Sequence, residues 1–125
     1  MNKRDFKQKL YKLFAQDVEG LNFDEKVNYI EEVLIKFFSE KDNDALRDCS
    51  NKGKPWTDEE LMIILLEAPT KANCRKFAQI FKRGYGSIEQ IYRWAATPKT
   101  ELGSRENDAF IQQIKRNAKK VGFRA

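Results

Sequence analysis

The chain has 125 residues, room for one ordinary core and at most a satellite core, and too few for two enzyme domains. Apolar residues make up 41% of it and phenylalanine occurs nine times, so a charged content of 34% does not prevent folding. Two cysteines, Cys49 and Cys74, and no histidine remove the usual zinc ligand sets, every Ser-His or Cys-His nucleophile and the commonest general base at neutral pH.

From these absences we expect no enzyme, no metal, no cofactor and no small-molecule substrate. A carboxylate-only metal site could use Asp24, Glu25, Glu31 and Glu32, but their spacing is ordinary for the solvated face of a helix. The opening MNKRDFKQKL lacks an apolar run of signal-peptide length, and no stretch approaches the ~20 apolar residues that span a bilayer. The expectation is a cytoplasmic protein without a membrane partner. Charge is uneven: residues 1–50 hold nine Lys/Arg against eleven Asp/Glu, and residues 51–125 hold fifteen against eight. The second half therefore carries the excess positive charge expected of a chain that contacts a polyanion.

In chain order, Phe6, Leu10, Leu13 and Phe14 recur at helical spacing and predict an amphipathic helix over 4–17, ended by Gly20. A second helix over 24–40 follows, with Asp24 as N-cap and Val27, Ile30, Val33, Leu34, Phe37 and Phe38 on its apolar stripe. Together they predict a helical hairpin over 1–41. Its Leu13, Phe14, Val33 and Phe37 should bury against the C-terminal helix or a second copy, so a homodimer or a protein partner through the hairpin is expected. Residues 42–54 are polar and rich in turn formers and read as a linker, although Ala45 and Leu46 could sit in a short helical turn.

The three prolines, Pro55, Pro69 and Pro98, bracket the next segments, because each disfavours helix at the residue before it. Thr57 suits a helix N-cap, with Asp58, Glu59 and Glu60 complementing the dipole and Leu61, Ile64, Leu65 and Leu66 continuing to Ala68. A shorter helix over 73–81 turns Phe77, Ile80 and Phe81 inward. Gly84-Tyr85-Gly86 reads as a tight turn, since neither a preceding strand nor a Gly-Lys-Ser/Thr supports a phosphate loop. Ser87 is the expected N-cap of a helix over 88–97, with Ile88, Ile91, Trp94 and Ala95 inward and Glu89, Gln90, Arg93 and Thr97 outward. A last helix over about 104–121 places Phe110, Ile111, Ile114, Ala118 and Val121 on one side and Lys115, Arg116, Lys119 and Lys120 on the other, with Gly122 as C-cap.

The run Lys54-Pro55-Trp56-Thr57-Asp58-Glu59-Glu60-Leu61 and the run Glu89-Gln90-Ile91-Tyr92-Arg93-Trp94 resemble the opening and the close of the Myb/SANT family, with Phe77 in place of the middle tryptophan. The similarity covers about residues 52–98. It implies a three-helix helix-turn-helix domain over 55–98 with Trp56, Phe77 and Trp94 in its core; with the helical hairpin before it and the basic amphipathic helix that periodicity places within 99–125, the expected fold is all-α.

Helix, tight turn, helix with clustered cations fits a DNA-binding protein, a small bacterial or phage regulator or accessory factor whose partner is double-stranded DNA. Base contacts are expected from Gln90, Arg93, Thr97 and Glu89 on the helix over 88–97. Phosphate contacts are expected from Lys52, Lys54, Lys82, Arg83, Tyr85, Ser87, Lys99, Arg105, Lys115, Arg116, Lys119 and Lys120. SANT-type domains also serve as protein-interaction or adaptor modules, and that alternative stays open.

Overall fold

The structure is a computed structural model, and it describes residues 1–124. Among them the secondary structure is wholly helical: α1 (Lys3–Ala15), α2 (Phe23–Ser39), α3 (Asp58–Leu65), α4 (Lys71–Phe81), α5 (Tyr85–Ala96) and α6 (Ala109–Val121), with short 3-10 segments at Lys41–Leu46, Lys99–Glu101 and Gly103–Asn107. No helix among the described residues is long and apolar enough to cross a membrane. The chain divides into two compact units, Met1–Leu34 and Ile35–Ala125, so that α2 begins in the first and ends in the second.

The first unit is held by local polar bonds. Asn2 caps α1 by accepting from the Asp5 amide at 2.9 Å. Asn22, and not Asp24 as expected, caps α2: its side chain accepts from the Glu25 amide at 2.9 Å, and the Glu25 carboxylate accepts from the Asn22 amide at 3.1 Å. This reciprocal box puts the cap two residues before Asp24 and starts the helix at Phe23. Lys26 is the unit's one buried residue, its ammonium donating to the Gln16 carbonyl at 2.8 Å across the turn. α1 buries none of its residues. Leu13, Val33 and Phe37, expected to be covered, are about half exposed or more within the single chain.

The second unit has a true core. α3 contributes Leu61, Ile64 and Leu65, α4 Cys74, Phe77 and Ala78, α5 Tyr85, Ile88, Ile91 and Tyr92, and α6 Ile114 and Ala118, all buried together with Ile35. α6 packs on both α3 and α5, and α4 packs on α5. The helix starts follow capping chemistry. Thr57 caps α3 as expected, and Glu60 completes a capping box with it; Thr70 caps α4 through the Asn73 amide, and Asp108 caps α6 through the Ile111 amide. The Asp108 cap sets the start of the last helix at Ala109, five residues later than expected; residues Gly103–Asn107 are 3-10 instead. Gly122 closes α6 in the left-handed region, φ 71°, and Phe123 folds back to stack on Tyr92 with 6.0 Å between rings.

Three core expectations need correction. Ile80 is 58% exposed, because Cys74, Phe77 and Ala78 set the buried face of α4 and Ile80 falls outside it. Trp56 and Trp94 flank the core half-buried, whereas Phe77 lies within it. The aromatic that α5 sends fully inward is Tyr92, whose hydroxyl donates to the Ile64 carbonyl at 2.7 Å. That bond satisfies the phenol inside the core and lets Tyr92 hold the place expected of Trp94.

The polar stretch after α2 is fastened down. Arg47 stacks on Phe38 at 4.2 Å and donates to the Arg83 carbonyl at 2.8 Å. The Asn51 amide donates to the Lys82 carbonyl and its side chain to the Phe81 carbonyl. Segment Lys41–Asn51 thus satisfies the carbonyls left over where α4 ends.

Candidate nucleic-acid interface

The connection between α4 and α5 is three residues long. Lys82 ends α4 in the left-handed region (φ 56°, ψ 50°), its amide and that of Arg83 both donating to the Ala78 carbonyl. Gly84 is the N-cap of α5. The helix therefore begins at Tyr85, three residues before the expected start, and Ser87 lies inside its first turn. Burial explains the shift: Tyr85 is 2% exposed and pins the first turn to the core, with Phe38 edge-on at 6.1 Å. Gly84 has little space to spare, since a Cβ there would sit 3.1 Å from the Asp44 carboxylate.

α5 has two unlike faces. Tyr85, Ile88, Ile91 and Tyr92 are buried, while Gly86, Glu89, Gln90, Arg93 and Ala96 are exposed. Gln90 and Arg93 are three residues apart and share the outer stripe. Arg93 has no ion-pair partner among the described residues. Thr97 is half-buried, and its hydroxyl donates to the Arg93 carbonyl at 2.7 Å, so it closes the helix. Of the four expected base-contact residues, Glu89, Gln90 and Arg93 stand open and Thr97 is partly committed.

Lys54, Ser87 and Gln90 line one groove of about 440 Å³, together with Trp56, Phe110 and Gln113. A second recess of about 410 Å³ gathers Lys99, Lys115, Arg116 and Lys119 around Leu102 and Ile111, with Glu106 the one acid in its wall. Lys52, Lys82, Lys99, Arg105, Lys119 and Lys120 are exposed. Lys52 pairs with Asp44 at 3.5 Å and Lys82 with Asp48 at 3.6 Å. The Lys82–Asp48 pair is exposed on both sides and exchanges readily for another anion, whereas Asp44 is only 16% exposed and Lys52 is the exposed member of its pair. Arg105 lies over the Trp94 ring at 5.2 Å.

Three expected phosphate contacts are corrected by their burial or bonding. Arg83 is 4% exposed, donates to the Lys54 and Pro55 carbonyls and stacks on Trp56, so its guanidinium serves the fold. Tyr85 is buried, and its phenol is pushed up to about 12 by loss of solvent. Lys115 donates to the Ala95 and Thr97 carbonyls, tying α6 to the last turn of α5, and its ammonium is lowered first by desolvation and then by Lys99. A lysine at a helix C-terminus satisfies carbonyls that have no partner in the helix.

A polar hub escaped the sequence reading. One carboxylate oxygen of Asp58 accepts from Gln113 at 3.0 Å, from Asn117 at 2.9 Å and from Arg116 at 3.4 Å. The Asn117 and Gln113 bonds, in that order, hold the Asp58 carboxyl below its ordinary value. Gln113 also donates to the Trp56 carbonyl, so α6 grips the start of α3. The available signal was the pair Gln113 and Asn117, one turn apart on the side of α6 that also carries Ile114.

A family model described as the C-terminal domain of uncharacterised protein PM1205 matches residues 50–125. The chain belongs to the PM1205 family. The protein called "Uncharacterized protein PM1205" from Pasteurella multocida (strain Pm70) is 50% identical over 125 residues, 99% of each chain. The PM1205 C-terminal domain thus contains α3 to α6 and the whole exposed stripe of α5, while the similarity to the Pasteurella protein extends over α1 and α2 as well. No solved structure matches the chain.

Proposed function

We propose that this PM1205-family chain is a DNA-binding protein, a small regulator or accessory factor, that sets α5 into the major groove of double-stranded DNA. The observation that carries the reading is the outer stripe of α5: Gln90 and Arg93 exposed together, opposite four buried side chains, on a helix held by a three-residue turn after α4. An arginine fork fits the acceptor pair on a guanine edge, and a glutamine amide fits adenine. Lys52, Lys54, Lys82, Lys99, Arg105, Arg116, Lys119 and Lys120 then supply the sequence-independent phosphate contacts. On this reading α3, α4 and α5 are a Myb/SANT-like trio, and α6, packed on α3 and α5, adds the cations Arg116, Lys119 and Lys120.

The test is selection of bound fragments from random duplex DNA at moderate salt, with affinity measured on the recovered sequences. Recovery of a common motif of a few base pairs supports the reading. If duplex DNA at about 100 mM salt shows no binding at micromolar protein, the range of ordinary non-specific affinity, the DNA reading fails and a SANT-type protein-interaction module takes its place.

A further inference from the structure

We infer that α1 and α2 pair with the same two helices of a second copy, forming a four-helix dimer interface. This interface does not depend on DNA binding.

Along α2, Phe23, Val27, Ile30, Leu34 and Phe37 follow one another at alternating steps of four and three residues; along α1, Phe6, Leu10 and Leu13 do the same. Steps of that kind place side chains on the seam by which one helix packs lengthwise on another. The seam is open in the single chain. Phe6 is 57% exposed, Leu13 60%, Phe23 68%, Val27 46%, Leu34 54% and Phe37 51%. Large apolar side chains at such exposure leave surface on the scale of the ~800 Å² per partner that a stable interface buries. A row of this length also exceeds the scattered exposed hydrophobics of an ordinary surface.

Charge selects the occupant. α1 carries Lys3, Arg4, Lys7, Lys9 and Lys12 against Asp5, while α2 carries Asp24, Glu25, Glu31 and Glu32 against Lys26 and Lys36. Lys7 and Lys9 flank the α1 seam, and Asp24 and Glu31 flank the α2 seam, the positions whose charges set partner choice in packed helices. The first two helices therefore carry a basic strip on α1 and an acidic strip on α2. A two-fold axis brings the basic helix of each copy onto the acidic helix of the other, so both pairings are made twice. A partner of single charge would match one strip and repel the other.

Sedimentation equilibrium of the full chain at micromolar concentration is expected to give the mass of two chains. Leu34→Glu and Phe6→Glu, both at exposed positions that the fold of one chain does not need, should each return the mass of one chain with an unchanged far-ultraviolet helical spectrum. Lys7→Glu combined with Lys9→Glu should weaken the dimer, and adding Asp24→Lys with Glu31→Lys should restore it. A one-chain mass for the unsubstituted protein overturns the proposal. So does a dimer indifferent to Leu34→Glu and Phe6→Glu, or a charge-reversed chain that the added exchange fails to restore.

Discussion

The Arg83 guanidinium lies 3.8 Å over the centre of the Trp56 ring while donating to the Lys54 and Pro55 carbonyls, which joins the α4–α5 turn to the segment entering α3. The cation is buried without an ion pair among the described residues, so carbonyl dipoles and a π face hold it, with the Glu60 carboxylate acting only at longer range. Arg83→Ala should destabilise the second unit by on the order of 3 kcal/mol, from the lost stack and charge-assisted bonds. Arg83→Lys should recover little of it, because an ammonium cannot stack flat and fork to two carbonyls at once. Urea unfolding of the two variants measures this; a lysine variant as stable as the parent would show that the planar group is unimportant.

Lys82 holds a left-handed backbone with φ 56°, a conformation that costs a side-chain-bearing residue about 1 kcal/mol and glycine almost nothing. Lys82→Gly should therefore raise stability by on the order of 1 kcal/mol, less the small contribution of its exposed pair with Asp48. The same substitution removes a proposed phosphate contact, so DNA affinity should fall while the melting temperature rises. Parallel loss of both would mean the lysine side chain stabilises the turn.

What the sequence could reveal here is local, and what it hid depends on neighbours distant in the chain. Thr57 with Glu60, and Gly122 after the last apolar turn, are legible because cap and helix lie within a few residues. The turn before α5 extends too far in the sequence reading because Gly84 and Gly86 read as helix breakers and Ser87 as an N-cap; the burial of Tyr85 comes from Phe38 and the α4 core, which local pattern does not encode. Likewise Arg83 and Lys115 read as free cations, since nothing nearby in sequence reveals the carbonyls of Lys54, Pro55, Ala95 and Thr97 that claim them. Tyr92 shares the stripe of Ile88, Ile91 and Ala95 while Trp94 falls beside it, and the Ile64 carbonyl, distant in the chain, satisfies the hydroxyl that this burial takes out of water. By contrast, Gln90 and Arg93 were legible as an outer stripe, because periodicity alone separates them from Ile88 and Ile91.

Asp58 should make the second unit acid-sensitive. Its carboxyl is held below the ordinary value of 3.8 first by Asn117 and then by Gln113, so its contribution is present above the unfolded value and lost as the pH falls through the folded one. Asp58→Ala should be less stable than the parent near neutrality, and the gap should close below about pH 4. Denaturation at both pH values checks it; a gap independent of pH would mean that the aspartate acts through packing.

On the alkaline side, burial raises Cys74 from 9.0 to about 11 and Tyr85 from 10.0 to about 12, and it pushes Tyr92 upward as well. The folded chain keeps these groups neutral after the unfolded chain has released their protons. Stability should hold below about pH 9 and decline between about pH 9 and 12. Cys74→Ala should show a shallower decline in urea unfolding at about pH 10.5 relative to about pH 8, and an unchanged slope would remove the thiol from the account.

If Arg93 reads bases while the outer lysines hold phosphates, the salt dependence of duplex binding separates the two roles. Affinity is to be measured on a selected sequence and on an unrelated one, across a range of salt, for the parent chain, Arg93→Ala and Lys119→Ala. Arg93→Ala should lose about 1–3 kcal/mol on the selected sequence and most of the difference between the two sequences. Lys119→Ala should weaken both sequences alike and flatten the log–log salt slope by about one unit. The contradicting result is an Arg93→Ala protein that still prefers the selected duplex as strongly as the parent does, which would take α5 out of the major groove.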